Sequence, residues 1–265
     1  MFKEINGRKG NEREMKLFTN KVILITGAGR GMGCQMALNF ASNGANLVLN
    51  DINALMLEQT ATKIRHYNTE ILTVPGDVSK SKDCTQLIDL AIKRFNKIDV
   101  LINNAGIAPL TRPLEYISDD EWDGTIGVNL NGVFYCMRAV LPHMQSNNYG
   151  KIINISSSAG RSISTFAGAH YTAAKAGILG LTRHAAYEYA QYNININAIA
   201  PGTIDTELLR ASACPEKISF ELEKIPMRRF GTSDEIYNLI SFLASDQSSY
   251  INGATIDING ADLLI

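Results

Sequence analysis

The sequence predicts an α/β fold: one domain built on a doubly wound parallel sheet with helices on both faces. Three observations predict it. Short runs rich in Val, Ile and Leu alternate along the chain with longer runs whose apolar residues recur at helical spacing. A glycine-rich turn joins the first apolar run to the first helical pattern. At 265 residues and 45% hydrophobic content, the chain can bury a sizeable core as a single unit. Strands apolar on both faces suit a parallel sheet covered by helices, and right-handed crossovers then wind it.

The elements follow in order. Residues 21–26 form a short run rich in β-branched side chains, a buried strand, and Gly27-Ala28-Gly29-Arg30-Gly31-Met32-Gly33 comes next. A helical pattern covers 32–43. A second apolar run at 46–51 ends in Asp51 and leads to a helix over 53–67. The third strand, 70–75, precedes Asp77-Val78 and a helix over 80–95. The fourth, 98–103, runs into Asn103-Asn104-Ala105-Gly106, and a long helical pattern spans 119–146. The fifth, 150–156, closes on Ser156-Ser157-Ser158, before a helix over 170–191. The sixth, 193–199, is followed by Pro201-Gly202. Residues 203–229 break the rhythm. That stretch is long, holds Pro215 and Pro226, and follows a strand end where such sheets bind ligands, so a lid is expected. A helix over 234–244 and a strand over 254–258 finish the chain.

Charge and composition narrow the function. With 25 basic and 26 acidic residues the net charge is −1, and no basic stripe suits nucleic acid. Cys34, Cys84, Cys136 and Cys214 are far apart, which argues against a zinc site or a disulfide framework and fits a reducing cytoplasm. The four histidines make no metal-ligand pattern; His170, beside Tyr171, is expected to start a helix or line a pocket. No run is long and apolar enough for a membrane span. The polar N-terminal stretch lacks the apolar core of a signal peptide, and residues 1–18 are expected to be a flexible extension before a domain at 19–265.

Two motifs carry chemistry. A strand, a glycine turn and a helix let the backbone approach a pyrophosphate, with helix N–H groups as donors. Here the loop is Thr26-Gly27-x-x-x-Gly31-x-Gly33, with Arg30 and Met32 inside it. Asp51, about 20 residues on, can accept hydrogen bonds from the adenosine ribose hydroxyls and repel a 2′-phosphate. That favours NAD over NADP, although the guanidinium of Arg30 points the other way. Asp51 is also a candidate helix N-cap before Ala54. The second motif, Tyr171-Thr172-Ala173-Ala174-Lys175, sets a phenol and an ammonium one helical turn apart. A free tyrosine titrates near about 10, and a fixed positive charge beside it favours the phenolate.

Several further motifs fall in the same order: Asp77-Val78, Asn104-Ala105-Gly106, Asn129 in Val128-Asn129-Leu130, Ser157 in Ile155-Ser156-Ser157, and Pro201-Gly202. With the glycine loop and Tyr171-x-x-x-Lys175 they resemble the short-chain dehydrogenase/reductase family of the roughly 250-residue type, from Thr19 to about Asn259. The resemblance implies a Rossmann-like fold, a nicotinamide cofactor and a secondary alcohol or ketone substrate. It implies that Tyr171 moves the proton of the substrate oxygen and that Lys175 lowers the tyrosine pKa and holds the nicotinamide ribose. It gives Ser157 the hydrogen bond to the substrate oxygen, and Asn129 a water linking Lys175 to solvent. Gly27, Arg30, Gly31, Met32, Gly33, Asp51, Asp77, Val78, Asn104, Ala105, Gly106, Tyr171, Lys175, Pro201, Gly202, Ile204 and Thr206 are the expected cofactor contacts, with no metal. The family commonly separates serine and tyrosine by 12 residues; Ser158 meets that spacing and Ser157 exceeds it by one, but the local pattern favours Ser157. Asp257-Ile258-Asn259-Gly260 also departs from the usual Val-Asp-Gly-Gly.

An NAD-dependent dehydrogenase or ketone reductase in the cytoplasm is the first expectation. A 3-oxoacyl carrier-protein reductase is the alternative, with Arg210, Arg228 and Arg229 as candidates to meet an acidic carrier. A catalytically silent nucleotide-binding protein is the third. A homotetramer is expected, from the family and from apolar residues on more than one side of two helices: Val133, Phe134, Met137 and Val140, then Ile178, Leu179, Leu181 and Ala185. The apolar end Leu263-Leu264-Ile265 points the same way.

Overall fold

The computed structural model describes residues 16–206 and 215–265, and the side chains of 215–217 are left aside. Seven parallel strands form one sheet: β1 (Val22–Thr26), β2 (Asn46–Asp51), β3 (Ile71–Pro75), β4 (Val100–Asn103), β5 (Gly150–Ile155), β6 (Ile194–Pro201) and β7 (Thr255–Ile258). Their order is β3-β2-β1-β4-β5-β6-β7. Winding reverses between β1 and β4, where Ile23 pairs with Val100 and Ile25 with Ile102. Such a switch point opens a crevice at the carboxyl ends of the strands.

Helices α1 (Gly31–Ser42), α2 (Ala54–Ile64), α3 (Ser81–Phe95), α4 (Asp119–Ile126), α5 (Gly132–Ser146), α6 (Ala169–Tyr189), α7 (Pro215–Lys224) and α8 (Ser233–Ala244) join or cover these strands. Two apolar clusters, one on each face of the sheet, account for the continuous apolar runs. Ile23, Ile25, Leu47 and Leu49 pack with Phe40 and Ile240; Val22, Leu24 and Val48 pack with Leu87, Met137 and Ile178. Alternate residues of one strand thus enter opposite cores. Phe18 is buried edge-on against Phe40, so the packing takes in the last residue expected to lie in the flexible extension. The rest of that extension, residues 1–15, lies outside the described residues, as do Arg210 and Cys214.

Two expected segments differ in detail. The pattern over 119–146 is one continuous helical path, but Gly127–Asn131 adopts a π-helical turn between α4 and α5. The expected lid at 203–229 contains a regular helix, α7, whose charged residues mask its apolar spacing. Val133, Met137, Val140, Ile178, Leu179 and Ala185, read from the sequence as a second apolar face, are buried within the single chain. Their burial therefore needs no partner. Trp122, Phe134 and Tyr187 on α4, α5 and α6 are exposed, as are Leu264 and Ile265.

Candidate active site

The site is built at the crevice. The β1–α1 turn needs glycine for two reasons. Gly27 and Gly31 have φ of +65° and +55°, a conformation side chains disfavour. At Gly33 the backbone of α1 lies so near the turn that a Cβ would sit 2.0 Å from the Gly27 carbonyl oxygen. No side chain caps α1, and no carboxylate lies in its first turn. Its N–H groups and dipole therefore face the crevice as an anion cradle. Arg30 is the exposed N-cap residue, and Met32 packs partly into the core.

Asp51 closes this cradle. Its Oδ2 accepts from the Gly29 N–H at 2.9 Å and its Oδ1 from the Asn53 N–H at 2.9 Å. Two backbone donors thus fix the carboxylate against the glycine loop. Asp51 is not the cap of α2: Asn53 is, accepting from the Met56 N–H at 3.0 Å. Asp77 begins the turn after β3, where its Oδ1 accepts from the Ser79 N–H, and Val78 is buried beside it. Across the switch point, Asn104 Nδ2 donates to the carbonyls of Thr26 and Gly27 at 2.9 and 3.0 Å. The N–H groups of Asn104 and Ala105 both donate to Thr26 Oγ1. The two loops on either side of the crevice are tied together through Thr26, which does more than end a strand.

Gly106 is exposed at the floor of the mouth. A Cβ there would lie 2.7 Å from Asn129 Oδ1 and 3.7 Å from Lys175 Nζ. This close approach leaves room only for glycine and brings residue 106, Asn129 and Lys175 together. The π-turn rotates Asn129 inward, fully buried, and such turns frequently mark functional sites. Its Nδ2 donates to the Ile107 and Thr125 carbonyls at 2.9 and 3.0 Å, while its Oδ1 accepts from the Ile107 N–H at 3.2 Å. Asn129 thus clamps the chain immediately beyond Gly106.

Helix α6 brings Tyr171 in its first turn and Lys175 one turn later. Lys175 is buried, and Nζ donates to the Ile155 carbonyl at 2.7 Å. Nζ lies 5.6 Å from the Tyr171 ring centre. Burial pulls the lysine down to about 8. The same burial raises the tyrosine, and a hydrogen bond with Ser157 only partly opposes it. Burial, and not the lowering by Lys175 expected from the sequence, sets the direction at Tyr171, and it keeps the phenol protonated. Ser157 is the serine bonded to that phenol, which distinguishes it from Ser158, the first residue of a 3₁₀ turn over Ser158–Gly160.

Pro201 ends β6, and Gly202 donates its N–H to the Ile258 carbonyl. Ile204 bridges to Gly231, and Thr206 ends the first described stretch. These four residues lie at or beyond the carboxyl end of β6; the chain beyond Thr206 is outside the described residues until α7. The geometry fits a dinucleotide: an uncapped helix terminus for its phosphates, a fixed carboxylate at one end of the crevice, and Gly106 beside the Tyr171–Lys175 pair at the other. Glu121 and Arg112, which the structure joins to His170, were not anticipated, because a polar residue of a first helical turn and a loop arginine give no signal in the sequence. Among the described residues, no group of three His, Cys, Asp or Glu side chains could hold a metal ion, and no helix is long and apolar enough to cross a membrane.

Comparison with known proteins agrees with this architecture. The family model described as enoyl-(acyl carrier protein) reductase matches residues 27–260. A 3-oxoacyl-[acyl-carrier-protein] reductase FabG of Staphylococcus epidermidis is 38% identical over 242 residues, covering 91% of this chain and 98% of that one. Levodione reductase of Leifsonia aquatica is 37% identical, covering 92% and 94%. Among solved structures, a levodione reductase superposes with a TM-score of 0.88 at 35% identity over 92% of this chain and 98% of its own. NAD⁺-bound xylitol dehydrogenase gives 0.84 at 30% identity over 91% and 98%. The chain belongs to the short-chain dehydrogenase/reductase family and is a nicotinamide-dependent oxidoreductase acting on alcohol or carbonyl groups.

Proposed function

We propose that the protein interconverts a small secondary alcohol and its ketone with NAD(H), using Tyr171 as the general acid and base. The observation that carries this reading is the Tyr171–Ser157–Lys175 arrangement beside Gly106. A bound nicotinamide cofactor supplies or accepts the hydride. The protein must then hold a carbonyl oxygen and move one proton. Tyr171, kept protonated by burial, is set to donate to a ketone oxygen. Ser157 offers a second hydrogen bond to the charge that develops on that oxygen. In the reverse direction, the Lys175 ammonium stabilises the phenolate that takes the proton from the alcohol. Lys175 and the α1 terminus hold the cofactor, with Asp51 at the ribose diol and Asp77, Val78 and Ala105 around the rest. Asn129 holds the Ile107 turn in place and, by family resemblance, a water that connects Lys175 to solvent.

Asp51 supports NAD(H) over NADP(H), since a 2′-phosphate would meet a fixed carboxylate. The exposed Arg30 is the opposing feature, but Asp51 is anchored by two backbone bonds and Arg30 caps nothing. A carrier-protein substrate is the second reading, favoured by the FabG likeness. Against it, Arg229 is paired with Glu235, and Arg228 donates to the Glu223 carbonyl, so those two guanidiniums are engaged within the chain. A homotetramer is part of the proposal, supported by exposed Trp122, Phe134 and Tyr187 and by the apolar C-terminus. A spectrophotometric screen of ketones and alcohols, together with an acetoacetyl carrier protein, against NADH and NADPH tests this reading. Turnover of free ketones with NADH supports it; turnover only of the carrier-linked substrate with NADPH overturns it.

A further inference from the structure

One charged chain beside the site has no role in the chemistry above. His170 immediately precedes Tyr171 and is completely buried. Its Nδ1 accepts the Tyr171 backbone N–H at 2.9 Å, a donor it shares with the Gly168 carbonyl at 3.1 Å. A ring nitrogen that accepts carries no proton, so the other nitrogen, Nε2, bears the hydrogen. Nε2 lies 3.0 Å from Glu121 Oε1 and donates to it. The other carboxylate oxygen, Oε2, lies 3.2 Å from Arg112 Nη1. Exposure grades along the chain from solvent to core: 47% for the Arg112 side chain, 18% for Glu121, none for His170.

The three residues come from three elements. Arg112 lies on the loop after β4, Glu121 in the first turn of α4, and His170 in the first turn of α6. The α4 end is itself fixed, since Ser118 Oγ accepts from the Glu121 N–H at 3.2 Å. The same loop also grips the approach to α6 by its backbone. The Thr111 N–H donates to the Phe166 carbonyl at 2.8 Å, the Gly168 N–H donates to the Pro109 carbonyl at 3.3 Å, and Leu110 bridges to Ala167. Gly168 packs against the imidazole so closely that a Cβ would lie 2.7 Å from His170 Cε1. The loop that borders the substrate mouth and the residue that moves the proton are therefore joined twice, by backbone and by side chains.

A surface ion pair of this exposure adds little stability. A buried histidine bonded on both sides is different, because removing one partner strands the other in a dry site. What such a chain supplies is registration: the loop position is transmitted to the backbone of Tyr171. We propose that Arg112, Glu121 and His170 form a positioning network that couples the 107–112 loop to Tyr171, so that loop closure over a substrate sets the phenol for proton transfer. The inference rests on the Tyr171 assignment, and its test separates the two.

Glu121→Gln, Arg112→Ala, their double variant, His170→Asn and His170→Ala are compared with the wild type, using ethyl acetoacetate and NADH as probes. Glu121→Gln and Arg112→Ala should each lower kcat about tenfold with NADH affinity unchanged and KM little moved, the signature of a misplaced acid rather than a lost binding surface. The double variant should be no worse than the poorer single one, since both break the same chain. His170→Asn, which keeps an acceptor for the Tyr171 N–H, should retain more turnover than His170→Ala. Hydrogen exchange of peptides covering 166–173 should quicken in Arg112→Ala, although that residue lies on another segment. Multiplying defects in the double variant, unchanged kcat in both single variants, or unchanged exchange at 166–173 would each overturn the network. A wild type inactive on ethyl acetoacetate and on every other ketone removes the reductase reading alone; the exchange experiment, which needs no turnover, still decides the network.

Discussion

Lys175 should be a residue the protein would be more stable without. Its ammonium is buried, with the Ile155 carbonyl as its hydrogen-bond acceptor at 2.7 Å, and burial lowers it from 10.5 to about 8. Each unit of such a shift is about 1.4 kcal/mol, so keeping the lysine charged in the fold costs roughly 3 kcal/mol at neutral pH. The sign follows from proton counting. Between about 8 and 10.5 the unfolded chain holds a proton the folded chain has released. Stability from this group therefore rises with pH across that window, and the penalty is fully present below it. Lys175→Met removes the penalty and leaves the Ile155 carbonyl without its donor, at a cost of about 1 kcal/mol. The variant should thus be more stable than wild type by about 2 kcal/mol at pH 7, a rise of several degrees in Tm. The advantage should shrink by about 1.4 kcal/mol per pH unit above 8. Urea unfolding of both proteins at pH 7 and pH 9.5, at equal concentration, measures this difference directly. Since Tyr171 and the other titrating groups are common to both, only Lys175 should alter it. A stability difference between the two proteins that does not change with pH would refute the burial argument, as would a variant less stable at both values.

Other outcomes follow from the same geometry. NADH should bind more tightly than NADPH, and Asp51→Ala should narrow that gap by about tenfold as repulsion of the 2′-phosphate is relieved; fluorescence titration of both cofactors checks it, and an unchanged ratio would remove Asp51 from the ribose. Ser157→Ala should cost about a hundredfold in kcat and Ser158→Ala less than threefold, because only Ser157 meets the Tyr171 phenol; the reverse order in steady-state assays would reassign the oxygen-polarising serine. Sedimentation equilibrium at micromolar concentration should show a tetramer; a clean monomer would refute the assembly, and a stable dimer would remove only the tetramer.

The sheet was legible because parallel strands buried on both faces are continuous apolar runs. Those runs gave all seven strands to within two residues at either end. Asp51, the glycine turn and the Tyr171–Lys175 pair were also legible, since each depends on local spacing. Other features depend on distant contacts and left no local trace. The π-turn at Gly127–Asn131 lies within an unbroken helical pattern, and only its inward rotation of Asn129 against Ile107 shows why it exists. Helix α7 was hidden by the charged residues at Glu216, Lys217, Glu221, Glu223 and Lys224 and by Pro215, which suits a first helical position as well as a loop. The apolar arcs of α5 and α6 were misjudged because these helices pack against the sheet and against other helices, a second covering that periodicity along one helix does not reveal. The balance of burial and charge at Tyr171 was equally out of reach, because Tyr171-x-x-x-Lys175 tells how far apart the groups are and not how dry their surroundings are.

The central claim is that the Tyr171 hydroxyl moves the proton in a nicotinamide-dependent redox reaction. Tyr171→Phe keeps the ring and removes only the hydroxyl, so the most direct test is single-turnover oxidation of NADH by a ketone the wild type accepts, alongside NADH binding by fluorescence. Loss of turnover by about a thousandfold or more, with NADH affinity within about twofold of wild type, is the predicted result. Near-native turnover in Tyr171→Phe would contradict the account.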